Sequence, residues 1–166
     1  MTRHPLSASL KLDRFDVKIL AILSRDGRIT KSKLAEAISL SVSPCWERVK
    51  RLEQAGVIEG YSARVNVGAL VPVNAVWVQI ELKQHSVESF SRFEALVMET
   101  PEVTECVAVG GGVDYLVKFE VRSIDSYQRT MDRWLVSDAG IERYFTYIVT
   151  KTVKRATLSV EDEQLA

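Results

Sequence analysis

Two short stretches of this 166-residue chain bring chemically capable side chains together. SVSPCWERVKRLEQAG (41–56) sets Cys45 beside Glu47, Arg48, Lys50 and Arg51, and GGGVDY (110–115) sets three glycines before Asp114. The first has two chemical readings. It is either a thiol whose ionisation is favoured by basic neighbours, or a helix that aims carboxylate, hydroxyl and cationic groups at an anionic polymer. The second could cradle an anion on backbone N–H groups, or could be a turn that needs positive φ. Little else offers chemistry. His4 and His85 lie far from each other and from Cys45 and Cys106, which argues against zinc. No nucleophile–base pair or cofactor fingerprint is visible, so neither metal, cofactor nor catalysis is expected.

The elements around 41–56 choose between the two thiol readings. Asp13 can cap a helix with Phe15, Ile19, Leu20, Ile22 and Leu23 inward, ended by Asp26-Gly27, and Thr30 can cap a second with Leu34, Ala35 and Ile38 inward. A turn, SLSV (39–42), leads to a third helix. There Ser43 fits the N-cap, Pro44 the first helical position and Gly56 the left-handed residue after the end. At 100° per residue Cys45, Val49 and Leu52 form the inward stripe, so Cys45 is a core residue rather than a nucleophile. Ser43, Glu47, Lys50, Arg51 and Gln54 lie opposite, with Arg48 on a flank. Two helices, a tight turn and a third helix with a polar, basic outer side make a helix-turn-helix. In that arrangement Ser41, Ser43 and Pro44 sit at the end that meets base edges. Glu47 can accept from a cytosine amine, Arg51 can donate to guanine, and Arg48 and Lys50 anchor phosphates. VIEGYSARVN (57–66) then alternates like a short strand or wing.

The remainder alternates between strand and helix periods. Strands are expected over 73–83, 103–109, 114–122 and 142–154, with helices over 87–99 (Phe90, Phe93, Leu96 and Val97 inward) and 124–137 (Tyr127, Met131, Trp134 and Leu135 inward). The order β-α-β-β-α-β is that of a ferredoxin-like sandwich, whose helices cover one face of the sheet. The other face should be polar in a monomer. Here both faces carry apolar residues, for example Phe145, Tyr147 and Val149 against Tyr144, Thr146 and Ile148, so a two-fold mate is the simplest cover. Gly110–Gly112 precede a strand and not a helix, which removes the helix dipole of a phosphate loop. One glycine satisfies a turn; three suggest close approach by another backbone or a ligand. The expected fold is therefore α+β: a winged helix-turn-helix at 1–62, a linker strand at 63–74 and a ferredoxin-like domain at 75–166.

Charge agrees with that division. Residues 1–66 carry 12 Lys/Arg against 7 Asp/Glu, and residues 67–166 carry 10 against 15, so a unit of +5 precedes one of −5. A basic first half implies an anionic partner. No apolar run approaches the roughly 18 residues that span a membrane, the first residues lack a secretory apolar core, and two cysteines in separate segments imply no disulfide framework. A cytoplasmic protein is expected.

Four segments carry a resemblance: LDRFDVKILAILSRDGRITKSKLAEAI (12–38), SVSPCWERVKRLEQAGVIEGYSARVN (41–66), GGVDYLVKFEV (111–121) and TYIVTKTVK (146–154). In this order they resemble the Lrp/AsnC, or feast/famine, family of transcriptional regulators. The resemblance implies a homodimer that binds double-stranded DNA and often assembles to an octamer. It also implies an amino acid or related effector held between C-terminal domains. By position, the effector pocket would comprise Gly110, Gly111, Gly112, Val113 and Asp114 with strand residues Tyr147, Ile148, Val149 and Thr150. Loop N–H groups would hold a carboxylate and Asp114 an ammonium. Two departures stand out: Ser39 where the family usually has glycine, and Gly112 where its loop often has aspartate. GGGVDY together with GIERYFTYIVTK (140–151) is similar to regulators of ectoine breakdown, whose effectors would be diaminobutyrate-type compounds. A metabolite-sensing oligomer without specific DNA binding is the alternative.

Overall fold

The computed structural model describes residues 11–155. The chain divides into two compact units, one of residues 65–154 and the other of residues up to Arg64 together with Arg155. The outermost parts of both expected domains, 1–10 and 156–166, lie outside the described residues.

The first unit is built from α1 (Arg14–Leu23), α2 (Lys31–Ala37) and α3 (Val42–Gln54). Each helix is started by its sequence. Asp13 caps α1 in a reciprocal box with Asp16, and Thr30 accepts from the Lys33 N–H to start α2. The turn into α3 requires a left-handed residue, and Ser39 takes it at φ 57°; Gly56 closes α3 at φ 70°. The expected cap of α3 is corrected by two residues. Ser41, not Ser43, is the N-cap, and Pro44 is the third helical residue. The proline is still tolerated, because none of the first-turn N–H groups has an intrahelical acceptor. Ile19, Leu20, Leu34, Ala35, Ile38, Cys45, Val49 and Leu52 form the core.

No strand forms over 57–66, and in place of the expected linker strand there is a 3-10 turn, Val67–Ala69. The physical reason is the absence of a partner: the described residues of this unit contain no other strand with which a wing could pair. The segment is instead pinned to α3 by the Tyr61 hydroxyl, which donates to Glu53 at 2.9 Å.

The second unit runs β1 (Asn74–Leu82), α4 (Val87–Met98), β2 (Val103–Ala108), β3 (Tyr115–Val121), α5 (Ile124–Val136) and β4 (Ile141–Ile148). The sheet order is β2-β3-β1-β4, with every pair antiparallel, which is the ferredoxin-like arrangement. β4 ends six residues before the expected boundary, because β1 starts at Asn74 and, past the Val149 N–H to Ala75 bond, offers no further partner. Val76, Val78, Ile80 and Leu82 of β1, with Val117 and Phe119 of β3, pack against Phe93, Tyr127, Met131 and Trp134 from the two helices. Each such fully buried side chain stabilises the unit by roughly 1.5–3 kcal/mol. Leu135, expected inside, is 44% exposed, and the buried Thr130 takes its place. Positions 127, 130, 131 and 134 follow the i, i+3, i+4, i+7 stripe, and 135 falls off it.

The register puts Trp77, Gln79 and Glu81 of β1 on the side away from the helices, beside Leu116 and Lys118 of β3 and Arg143, Phe145 and Tyr147 of β4. Phe145 is 44% and Tyr147 51% exposed there. The apolar residues expected on this face, Phe145 and Tyr147, are uncovered in the single chain, among the polar Gln79, Glu81, Lys118 and Arg143.

Candidate DNA-reading helix and effector half-sites

On α3 the inward stripe is the expected one: Cys45, Val49 and Leu52 are buried. Burial raises the Cys45 thiol above its ordinary range, against a smaller opposing effect from the Arg48 charge, so the basic neighbours do not activate it. Trp46 packs partly against the core and carries the Lys31 ammonium 3.6 Å from its ring centroid, tying α2 to α3. Ser41, Ser43, Pro44, Glu47 and Lys50 are exposed. The Ser41 side chain makes no capping hydrogen bond, which leaves its hydroxyl available at the helix end.

The two arginines differ from expectation. Arg48 Nη1 donates to Asp13 Oδ2 at 2.6 Å and to Asp16 Oδ1 at 2.9 Å, and Arg51 Nη2 donates to Asp16 Oδ2 at 2.5 Å. Asp16 is fully buried, and its Oδ2 also accepts the Asp13 N–H at 3.0 Å. A buried carboxylate without cationic partners would be costly, and these two guanidiniums supply the neutralisation. The hydrogen bond to Asp13, ahead of a smaller desolvation effect, raises Arg48 above the usual guanidinium range. Arg48, expected as a phosphate anchor, therefore bridges α3 to the start of α1, and Arg51, expected on the outer face, reaches back to the same carboxylate. Periodicity places Cα atoms; it does not say where a long flexible side chain ends.

In the second unit the glycines form the β2–β3 turn. Gly111 has φ 148°, a conformation that favours glycine, and a Cβ added at any of Gly110, Gly111 or Gly112 would meet nothing within 4 Å. The close approach that three glycines suggest does not come from the described residues of this chain. Asp114 is held firmly: its N–H donates to the Ile80 carbonyl at 2.9 Å, and its Oδ2 accepts the Leu82 N–H at 2.8 Å. His85 Nε2 lies 3.1 Å from Asp114 Oδ1. His85 was missed as a partner of this loop, although its position three residues past the end of β1 was a usable signal.

The loop therefore sits at the Ile80–Leu82 end of β1. Tyr147 and Ile148 pair with Trp77 and Val76 near the other end, and Val149 and Thr150 lie beyond β4. From Ile80 to Val76 is four residues, about 13 Å at ~3.3 Å per residue. The two groups of expected effector residues are thus not brought together within one chain. A cavity of about 190 Å³ between the starts of α4 and β4 and the end of α5 is lined by residues such as Lys83, Ser89, Arg92 and Asp138, and by none of the expected ones.

Residues 12–59 match the winged helix-turn-helix DNA-binding family, and residues 75–159 match the Lrp/AsnC ligand binding domain. The chain belongs to the Lrp/AsnC family. Like other members it is a transcriptional regulator, joining a DNA-binding helix-turn-helix to a ligand-binding domain. It is 76% identical to the transcriptional regulatory protein DoeX of Halomonas elongata over 95% of this chain and 99% of that protein. It is 38% identical to the leucine-responsive regulatory protein of Salmonella typhimurium over 87% of this chain and 88% of that one. Among solved Lrp/AsnC relatives, the NMB0573/L-Met complex from Neisseria meningitidis superposes with a TM-score of 0.85 at 29% identity, covering 94% of this chain and all of that one. Escherichia coli AsnC gives 0.81 at 26% identity, covering 90% and 99%. Among the described residues no helix is long and apolar enough to cross a membrane.

Proposed function

We propose that this regulator is a cytoplasmic homodimer, assembling further to an octamer, whose DNA binding is controlled by an amino acid or amino-acid derivative bound between C-terminal domains of different copies. The observation that carries this reading is the separation of the glycine loop from Tyr147–Thr150 at opposite ends of one sheet. A pocket using both must draw them from two chains. The open space at Gly110 and Gly112 is room for an incoming group, and turn N–H groups there would meet a carboxylate. Asp114 would meet an ammonium while keeping its bond to Leu82 N–H. The identity to DoeX and the GGGVDY and GIERYFTYIVTK segments favour a diaminobutyrate-type effector of ectoine breakdown over leucine or methionine.

On α3, Ser41, Ser43, Pro44, Glu47 and Lys50 are the groups proposed to face the major groove, with Arg48 and Arg51 bracing the helix from behind. No enzymatic step is assigned.

Complementation tests the shared pocket. Gly112→Val should abolish binding of 2,4-diaminobutyrate from the loop side, and Tyr147→Ala from the strand side, each measured by calorimetry. Mixed oligomers of the two variants should regain a fraction of the sites. Loss of binding in both variants with no recovery on mixing would place the two groups in one chain's site and refute the shared pocket.

A further inference from the structure

Among the described residues of the first unit, Asp16 is the fully buried charged side chain, and it is bonded to both arginines of α3. The outer face is left with Glu47 and Lys50, whose charges cancel. We propose that Asp16 is a positioning residue that sets how strongly the protein binds DNA of any sequence, by holding Arg48 and Arg51 against α1 and off the phosphate backbone.

The geometry supports this in three ways. Arg51 is the more exposed of the two, with 45% of its side chain accessible, yet leaving Asp16 would strip a fully buried carboxylate of one of its two cations. Arg48 is held twice, because Asp13 takes the same Nη1 nitrogen. Asp16 is itself fixed by the capping box at the start of α1, so the restraint is anchored in the helix that braces α3. A regulator must discriminate its operator from a large excess of other sites, and that ratio improves when phosphate contacts blind to sequence are withheld. The assignment rests on α3 being the helix that meets DNA.

The test uses the full chain and a short duplex of random sequence, titrated by fluorescence anisotropy between about 50 and 200 mM salt. Asp16→Asn keeps an acceptor for the Asp13 N–H and removes the charge. The slope of log affinity against log salt should steepen by about 0.9 for each arginine released, and affinity near 100 mM should rise roughly tenfold per arginine. An unchanged or shallower slope overturns the proposal; a purely structural Asp16 would lower the melting temperature without steepening the slope. Arg51→Gln in the otherwise native chain covers the case in which Asp16→Asn does not fold. It should leave the slope unchanged, and a slope shallower by about 0.9 would put Arg51 on a phosphate and overturn the proposal. Lys50→Ala tests the docking separately: its slope should fall by about 0.9, and a slope equal to wild type overturns the placement of α3, and the assignment with it.

Discussion

Phe145→Glu should separate the copies of this protein without unfolding them. Phe145 lies on the sheet face away from both helices, 44% exposed, and its ring contact is with the Arg143 guanidinium 5.4 Å away on the same strand. A buried Phe contributes on the order of 200 Å², so roughly 90 Å² of its apolar surface awaits cover in the single chain. A two-fold interface uses each residue twice, which doubles the loss to about 180 Å² per dimer. At ~25 cal/mol per Å² the substitution removes about 4–5 kcal/mol from association, before the cost of facing two carboxylates across the axis. That is roughly a thousandfold or more in the dimer dissociation constant. Sedimentation velocity over a dilution series reads it directly: wild type should remain associated where the variant dissociates, with matching far-ultraviolet ellipticity. If both proteins show the same mass at every concentration, this sheet face is not the interface, and its apolar residues need another explanation.

Three further outcomes follow from the local geometry. Ser39 sits at φ 57°, where an L residue is strained by about 1–2 kcal/mol and glycine is not. Glycine's greater freedom in the unfolded chain takes back about 0.5–1 kcal/mol, so Ser39→Gly should raise the denaturation midpoint slightly; a lower midpoint would refute the strain. The Asp13 carboxyl is buried enough to be pushed upward, but the Asp16 N–H, the Arg48 guanidinium and the Phe15 N–H outweigh this and hold it below 3.8. A depressed folded value means stability that is present at neutral pH and lost as pH falls below 3.8. Asp13→Asn should therefore be less stable at pH 7 and should show a flatter acid limb, and parallel stability curves would contradict the ion pair. Burial raises both thiols, with Cys106 pushed up to about 11 by burial and by Glu94, so neither should react with a thiol reagent at neutral pH until the protein is unfolded. Rapid native-state labelling of Cys45 would show that α3 packs differently.

Much of this architecture is legible in the sequence because local patterns and tertiary packing agree. Asp13 and Thr30 cap the helices expected of them, Cys45, Val49 and Leu52 fill one stripe, and the left-handed Ser39 falls where the resemblance marks a usual glycine. What was misread depends on partners that a one-dimensional pattern does not supply. Alternation over 57–66 looks like a strand, but a strand also needs a neighbour for its hydrogen bonds, and the described residues of that unit provide none. The last strand ends six residues short of its expected bound for the same reason.

Arg48 and Arg51 show the limit most clearly, because the helical wheel gives no sign of the ion pairs they make with Asp13 and Asp16. The helical wheel put Arg51 on the outer face and read it as a guanine contact. The signal for the ion pair was nonetheless present: an aspartate at position 16, three residues after a capping aspartate, on a face otherwise occupied by Val17, Ile19 and Leu20. A carboxylate entering a core demands a cation with comparable reach, and within this unit α3 supplies two. An acidic residue that falls on an apolar helix face is thus grounds for withdrawing nearby arginines from the list of free surface cations. The same pairing locates the basic surplus of residues 1–66. Arg48 and Arg51 with Asp13 and Asp16 form a cluster of no net charge, so the surplus of +5 is carried by residues outside it, Lys50 among them.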